Sequence, residues 1–125
     1  MNDLNDFVDR YVAVWNEPDT EVRRARIQTL WRPAGAHVNA ERTHSGHAAI
    51  EAEVTRVYAI CGASGMTFRC AGRIDGHHGT LRMDWELLAA DGSHAGVGGT
   101  NLLLMSNDGR LQRDVQFDVP AKRLA

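Results

Sequence analysis

Residues 100–119 read TNLLLMSNDGRLQRDVQFDV, and their periodicity decides the second half of the chain. Asn107, Asp108 and Gly109 supply turn chemistry between two extended runs. In the second run Asp114, Gln116 and Asp118 fall on one side of a strand, and Val115, Phe117 and Val119 on the other. In the first run both sides are apolar: Leu102 and Leu104 on one, Leu103 and Met105 on the other. A sheet covered by helices on one face only would leave one of these rows in water. The simplest cover for the second face is another copy of the chain.

Working upstream, the period stays at two as far as Gly65. Phe68, Cys70 and Ile74 alternate with Arg69, Arg73 and Asp75; Leu81, Met83, Trp85 and Leu87 alternate with Arg82, Asp84 and Glu86. GHHG at 76–79 and DG at 91–92 punctuate the run. Four antiparallel strands follow, at about 66–75, 80–90, 95–106 and 110–119. Before Gly65 the period is helical. Leu4, Phe7, Val8, Tyr11, Val12 and Trp15 predict a helix over 3–16. Asp19 or Thr20 caps a second, which carries Ile27, Leu30 and Trp31 and stops before Pro33. AHVNA reads as a short extended piece. A third helix starts at Ser45 or Gly46, with Ile50, Val54, Val57, Tyr58 and Cys61 on one stripe and Gly62 as its end signal. Three helices followed by a meander make one α+β domain over residues 1–125.

Composition narrows the function classes. With 43% apolar and 24% charged residues in 125, the chain is long enough and ordinary enough for one globular core. A net charge of -2 and no basic stripe argue against nucleic-acid binding. Arg23, Arg24 and Arg26 read as a solvated helix face. No apolar run approaches a membrane span, and the acidic start MNDLNDF is unlike a signal peptide, so a cytoplasmic location is expected. Cys61 and Cys70 lack metal-type spacing and read as free buried thiols. His44 and His47 are separated by Gly46 and find no third ligand, so no metal site is expected.

The helix–helix–helix–meander order, together with RYVAVWN, LWRPAGAHVNA, SGHAAIEAEV, MDWELL and GTNLLLMSNDGRLQ, resembles the nuclear-transport-factor-2-like superfamily. The likeness is greatest to its SnoaL-like and ketosteroid-isomerase-like members and covers residues 3–119. It implies a cone-shaped, cystatin-like fold, with three N-terminal helices packed on a curved antiparallel meander. A pocket opens between helices and sheet, and the convex face commonly makes a homodimer. No cofactor is implied. Because the superfamily hosts isomerases, cyclases, hydrolases, dehydratases and non-catalytic binders, the likeness is specific for fold and weak for function.

Tyr11 matches the helix tyrosine that serves ketosteroid isomerases as an oxyanion donor, a task suited to a phenol in a dry site. Asn39 and Asn101 match those enzymes' two aspartates. An amide takes no proton at neutral pH, which argues against their mechanism. Asn101 keeps the capacity to donate, and Asn39 either faces the pocket or only closes a turn. The resemblance places Asp114, Gln116 and Asp118 on the pocket side. SnoaL-like cyclases carry an acid/base aspartate in this strand, a role open to either Asp114 or Asp118. Desolvation among Trp15, Trp31 and Trp85 would raise such a carboxyl's pKa. The two acids stand about 13 Å apart along the strand and make no tight dyad. Trp15, Trp31, Leu81, Met83, Trp85 and Leu103 are expected as core and pocket wall together, and His78, next to His77 in a turn, as a rim donor. Two functions fit. One is a binding protein for a largely apolar small molecule with a few polar contacts. The other is a cofactor-free acid/base enzyme, cyclase-like or isomerase-like, acting next to a carbonyl.

Overall fold

The computed structural model describes residues 3–120, the side chains of Asp3, Arg73, Val119 and Pro120 excepted. Val119, assigned above to the outer row of its strand, is therefore outside the described side chains. The described elements run α1 (Asp3–Asn16), α2 (Thr20–Leu30), β1 (Trp31–Val38), β2 (Thr43–Ser45), α3 (His47–Ile60), a 3-10 turn (Gly62–Ser64), β3 (Thr67–His77), β4 (Thr80–Leu88), β5 (His94–Met105) and β6 (Leu111–Pro120).

Local chemistry sets the helix ends. Asp19 is the N-cap of α2, and its carboxylate accepts the Val22 N–H at 3.0 Å. Pro33 disfavours helical geometry at Arg32, so the chain passes from Leu30 straight into β1. Gly46, at φ 86°, makes the sharp entry into α3.

The six strands form one sheet in the order β2-β1-β6-β5-β4-β3. β3 to β6 are the expected antiparallel meander. β1 then adds to β6 in parallel, with His37 opposite Asp114, so the sheet is mixed rather than wholly antiparallel. WRPAGAHV, with its proline, its glycine and no alternation, gave no sign that this segment is a full strand. Register shifts between Cys70 and Ile74, Glu86 and Leu88, and Leu104 and Met105 curve the sheet. Gly99 lets β5 and β6 approach closely: a Cβ there would lie 2.0 Å from the Phe117 carbonyl oxygen.

The helices cover one face only. Phe7, Val8, Tyr11, Val14 and Trp15 of α1, Ile27 and Leu30 of α2, and Ile50 and Val54 of α3 pack on Leu81, Met83, Trp85, Leu103 and Leu111. Asp114 shares this covered face and is fully buried, so the acidic row of β6 is the inner one. The apolar row faces out: Phe117 is 53% exposed, with Val115, Leu102 and Leu104 partly covered beside it. One expectation on α2 is overturned. Arg23 is buried, because its guanidinium bonds the Glu17 and Pro18 carbonyls and Thr55 and lies over the Tyr58 ring. Arg24 and Arg26 do remain on the surface, paired with Glu51 and Glu17.

Candidate functional site

A cavity of about 450 Å³ opens between α1, α3 and the covered face of the sheet. That size is ordinary for a small-molecule site. Val12, Trp15, Val57, Phe68, Met83 and Trp85 form its apolar wall. Tyr11 and Asn101, both almost wholly buried, supply the polar groups of its floor. Asn39, Glu41, Glu53, Arg56, Gln116 and Asp118 surround the mouth.

Behind the floor lies a buried hydrogen-bond network centred on Asp114. Its Oδ2 accepts the Tyr11 hydroxyl at 2.6 Å and faces His37 Nδ1 at 2.6 Å; its Oδ1 accepts the Trp31 indole N–H at 2.9 Å. β1 brings His37 and Trp31 to Asp114 through its parallel pairing with β6, and α1 brings Tyr11 across from the helical layer. Asn101 continues the chain from β5: its Nδ2 donates to the Tyr11 oxygen at 2.7 Å, and its Oδ1 accepts the Trp85 indole N–H at 2.9 Å. Burial, then the adjacent Asp114 charge, hold the Tyr11 phenol well above its ordinary pKa of 10.0, so it is neutral.

This wiring decides what a ligand could reach. The Tyr11 proton is committed to Asp114, and one lone pair of its oxygen to Asn101. The Trp15 indole N–H also acts on that oxygen, while the second N–H of Asn101 remains without a protein partner. The floor thus offers the Asn101 N–H as a free donor, and the Tyr11 oxygen only in competition with Trp15. Asp114 has its donors already and stands behind Tyr11 rather than on the cavity wall. His37 is sandwiched between Trp15 and His44, with centroids at 4.9 and 5.8 Å, and its Nε2 is buried without a hydrogen-bond partner.

At the mouth, Glu53 is held below its ordinary carboxylate pKa, chiefly by its paired bonds with Arg56 at 2.8 and 2.9 Å, against the opposing effect of burial. Burial lowers the pKa of neighbouring His44. Asn39 does close a turn, its Oδ1 accepting the Glu41 and Arg42 N–H groups, and its Nδ2 also binds Glu53 at 3.1 Å. Gln116 donates to Asp118 at 2.8 Å, and Asp118 is exposed.

Of the residues picked from sequence, Tyr11, Trp15, Asn39, Met83, Trp85, Asn101, Gln116 and Asp118 meet at this cavity. Asp114 and Trp31 meet behind its floor. Leu81 and Leu103 sit in the closed core, beneath the wall rather than on it. His78 is elsewhere: it occupies the β3–β4 turn at φ 52° and borders a shallow depression on the outer face. The sequence reading missed His37, Glu53 and Phe68 as site residues. His37 had a signal, two residues before Asn39 on one strand face. Glu53 had one too, since its position falls on the Ile50, Val54 and Val57 stripe of α3. Among the described residues no cluster of His, Cys, Asp and Glu has the arrangement to hold a metal ion, and no helix is long and apolar enough to cross a membrane.

No family model matches the chain, and no curated protein matches it by sequence. Solved structures do match. A SnoaL-like family protein from Agrobacterium tumefaciens, provisionally named an isomerase, superposes with a TM-score of 0.87 at 28% identity, over 95% of this chain and 99% of that one. A protein from Sinorhizobium meliloti, provisionally named a polyketide cyclase, superposes at 0.69 with 16% identity, over 92% and 96%. A nuclear-transport-factor-2-like protein of unknown function from an Exiguobacterium species superposes at 0.69 with 19% identity, over 90% and 98%. With three helices on a curved sheet and these neighbours, the chain has the cystatin-like α+β fold and is similar to a SnoaL-like family protein.

Proposed function

We propose that the protein binds a small, largely apolar molecule in the cavity above Tyr11 and Asn101. One observation carries this reading: the cavity has an aromatic and aliphatic wall, yet its floor keeps one Asn101 N–H that no protein group uses. An apolar body would gain from the wall, and one oxygen or hydroxyl would be oriented by the floor. Nile red, a neutral apolar dye, tests it. Saturable uptake is expected, and Val57→Trp, which fills the cavity, should abolish it. Uptake unchanged in that variant would overturn the site.

The buried network favours a second reading, a cofactor-free acid/base enzyme acting next to a carbonyl. The Tyr11 oxygen can take a proton from the ligand as its own proton passes to Asp114, with the Asn101 N–H holding the developing enolate oxygen. Tyr11 then acts on the ligand, while Asp114 and His37 act through it. Asp118, exposed at the mouth, has no part in this route. The test is hydrogen–deuterium exchange at the α-carbon of 2-tetralone, followed by NMR: acceleration by the protein, lost in Tyr11→Phe, supports the reading, and no acceleration removes it.

For the assembly, we infer a homodimer through the outer sheet face. Its support is the uncovered row of Phe117, Val115, Leu102 and Leu104. The soluble, cytoplasmic setting expected from the sequence stands as part of the same proposal.

A further inference from the structure

The ligand's charge is also written in the cavity. Tyr11, Trp15, Phe68 and Trp85 follow one another around it, with ring centroids 6.3 Å apart from Tyr11 to Trp15, 6.4 Å from Trp15 to Phe68 and 5.6 Å from Phe68 to Trp85. Four aromatic rings line one space, and an organic cation is attracted to any ring face turned toward it. The mouth has the same sign. Glu41, Glu53 and Asp118 line it, and Arg56 is the one cationic side chain there among the described residues. Arg56 is engaged by Glu53 through two bonds, so that pair cancels. Neither Glu41 nor Asp118 forms an ion pair with a described residue; Asp118 accepts only the neutral Gln116 amide. Aromatic walls and carboxylates meet at one opening, where Glu41 acts on Arg56 from a distance and Asp118 has no ion pair among the described residues.

We infer that the ligand is an organic amine in its cationic form. Its apolar body lies against Trp15, Phe68 and Trp85, and its charge lies between those rings and the Asp118 and Glu41 carboxylates. This rests on the binding reading above and adds the ligand's chemical class. An anion would meet the carboxylates, and Arg56, the one cationic lining residue among those described, is already engaged by Glu53. A neutral apolar molecule would fit the wall and gain nothing from the mouth.

The test uses two probes of one shape. Benzyltrimethylammonium and neopentylbenzene differ by a quaternary nitrogen in place of a carbon. Trp15 and Trp85 on the wall report binding through their fluorescence. The cation is expected to bind about tenfold more tightly than its isostere, the advantage of a desolvated cation on aromatic faces. Glu41→Gln with Asp118→Asn, both exposed and tolerant positions, should reduce that preference about threefold, and raised salt should do the same. Equal binding of the two probes, or tighter binding of the isostere, overturns the amine assignment and leaves the binding site standing. A preference unchanged in the double variant and in salt also overturns it. Binding of neither probe removes the site itself, and the amine with it.

Discussion

Replacing Asp114 with Asn exchanges one carboxylate oxygen for an NH2 group and should cost more than its size suggests. In the wild type Oδ1 accepts the Trp31 indole N–H, and Oδ2 serves both Tyr11 and His37. Indole nitrogen only donates, so the amide oxygen must take the Oδ1 place and the NH2 group must take that of Oδ2. There it meets two groups that were donating. Tyr11 can rotate its hydroxyl toward the cavity and accept. His37 can accept only by moving its proton from Nδ1 to Nε2, and Nε2 is buried with no partner. One buried N–H is thereby stranded, which costs about 1–3 kcal/mol. Asp114→Ala strands all three donors and should cost about 3–9 kcal/mol by the same reckoning, a large part of the 5–15 kcal/mol typical of a domain. In urea, with a slope of about 2 kcal/mol/M, the midpoint should fall by about 1 M for Asn and about 1.5 M or more for Ala. Imidazole 15N shifts provide a second readout, with His37 protonated at Nδ1 in the wild type and at Nε2 in Asp114→Asn. A midpoint for the Asn variant within about 0.3 M of wild type, or the same His37 tautomer in both proteins, refutes the donor accounting.

Gly99→Ala places a Cβ 2.0 Å from the Phe117 carbonyl oxygen, so β5 and β6 must part; a loss of about 1–3 kcal/mol is expected in urea, and an unchanged midpoint would contradict that close approach. The raised Tyr11 pKa favours its protonated form in the folded state, so its contribution is complete below pH 10.0, the ordinary value, and declines as pH rises through the folded value. Urea midpoints should therefore fall above pH 10 more steeply in the wild type than in Tyr11→Phe, and parallel profiles would reject the assignment. Glu53 has the opposite sign: its lowered pKa contributes above the ordinary 4.5 and is lost as pH falls through the folded value, an acid-limb effect that Arg56→Ala should shrink. Phe117→Asp puts a charge in the centre of the outer apolar row. The wild type should sediment as a dimer at micromolar concentration and this variant as a monomer; a monomeric wild type ends the dimer proposal.

Most of the architecture is legible in the sequence because it depends on short-range periodicity. The α1 stripe, the Asp19 cap, the Gly46 entry and the alternation of β3 to β6 are all local signals, and the elements form within a residue or two of where those signals place them. β1 has no such signal. It is a strand because β6 offers it a parallel edge and because Trp31 and His37 are bound from the opposite side by Asp114, and both causes lie about 80 residues away. The site was legible to the same depth. Alternation assigns Asp114, Gln116 and Asp118 to one face, which is correct, but one face can run from closed core to open solvent. Along β6 it does: Asp114 is fully buried, Gln116 partly, and Asp118 exposed. The same limit explains Leu81 and Leu103, which share a face with Met83 and Asn101 yet lie under the helices rather than under the opening.

That gradient bears on how the two functional readings relate. A carboxylate buried among donors is weak evidence for stability, since well-packed apolar residues often do as well or better in its place. A cavity meant only to hold an apolar body could have closed its floor with leucine and phenylalanine. Instead Tyr11, Asn101, Asp114, His37, Trp31 and Trp85 form one connected set, and Asn101, which carries its unused donor, lies with Tyr11 on the cavity floor. Such a set holds the Tyr11 hydroxyl in one orientation before any ligand arrives, and preorganisation of that kind serves binding and proton transfer alike. What separates the two is the Tyr11 proton. Binding leaves it on the phenol, donated to Asp114; catalysis requires it to cross the 2.6 Å to Asp114 and return. The carboxylate that matters for chemistry is then the one no ligand touches, and the exposed Asp118 is left to the recognition of charge at the mouth.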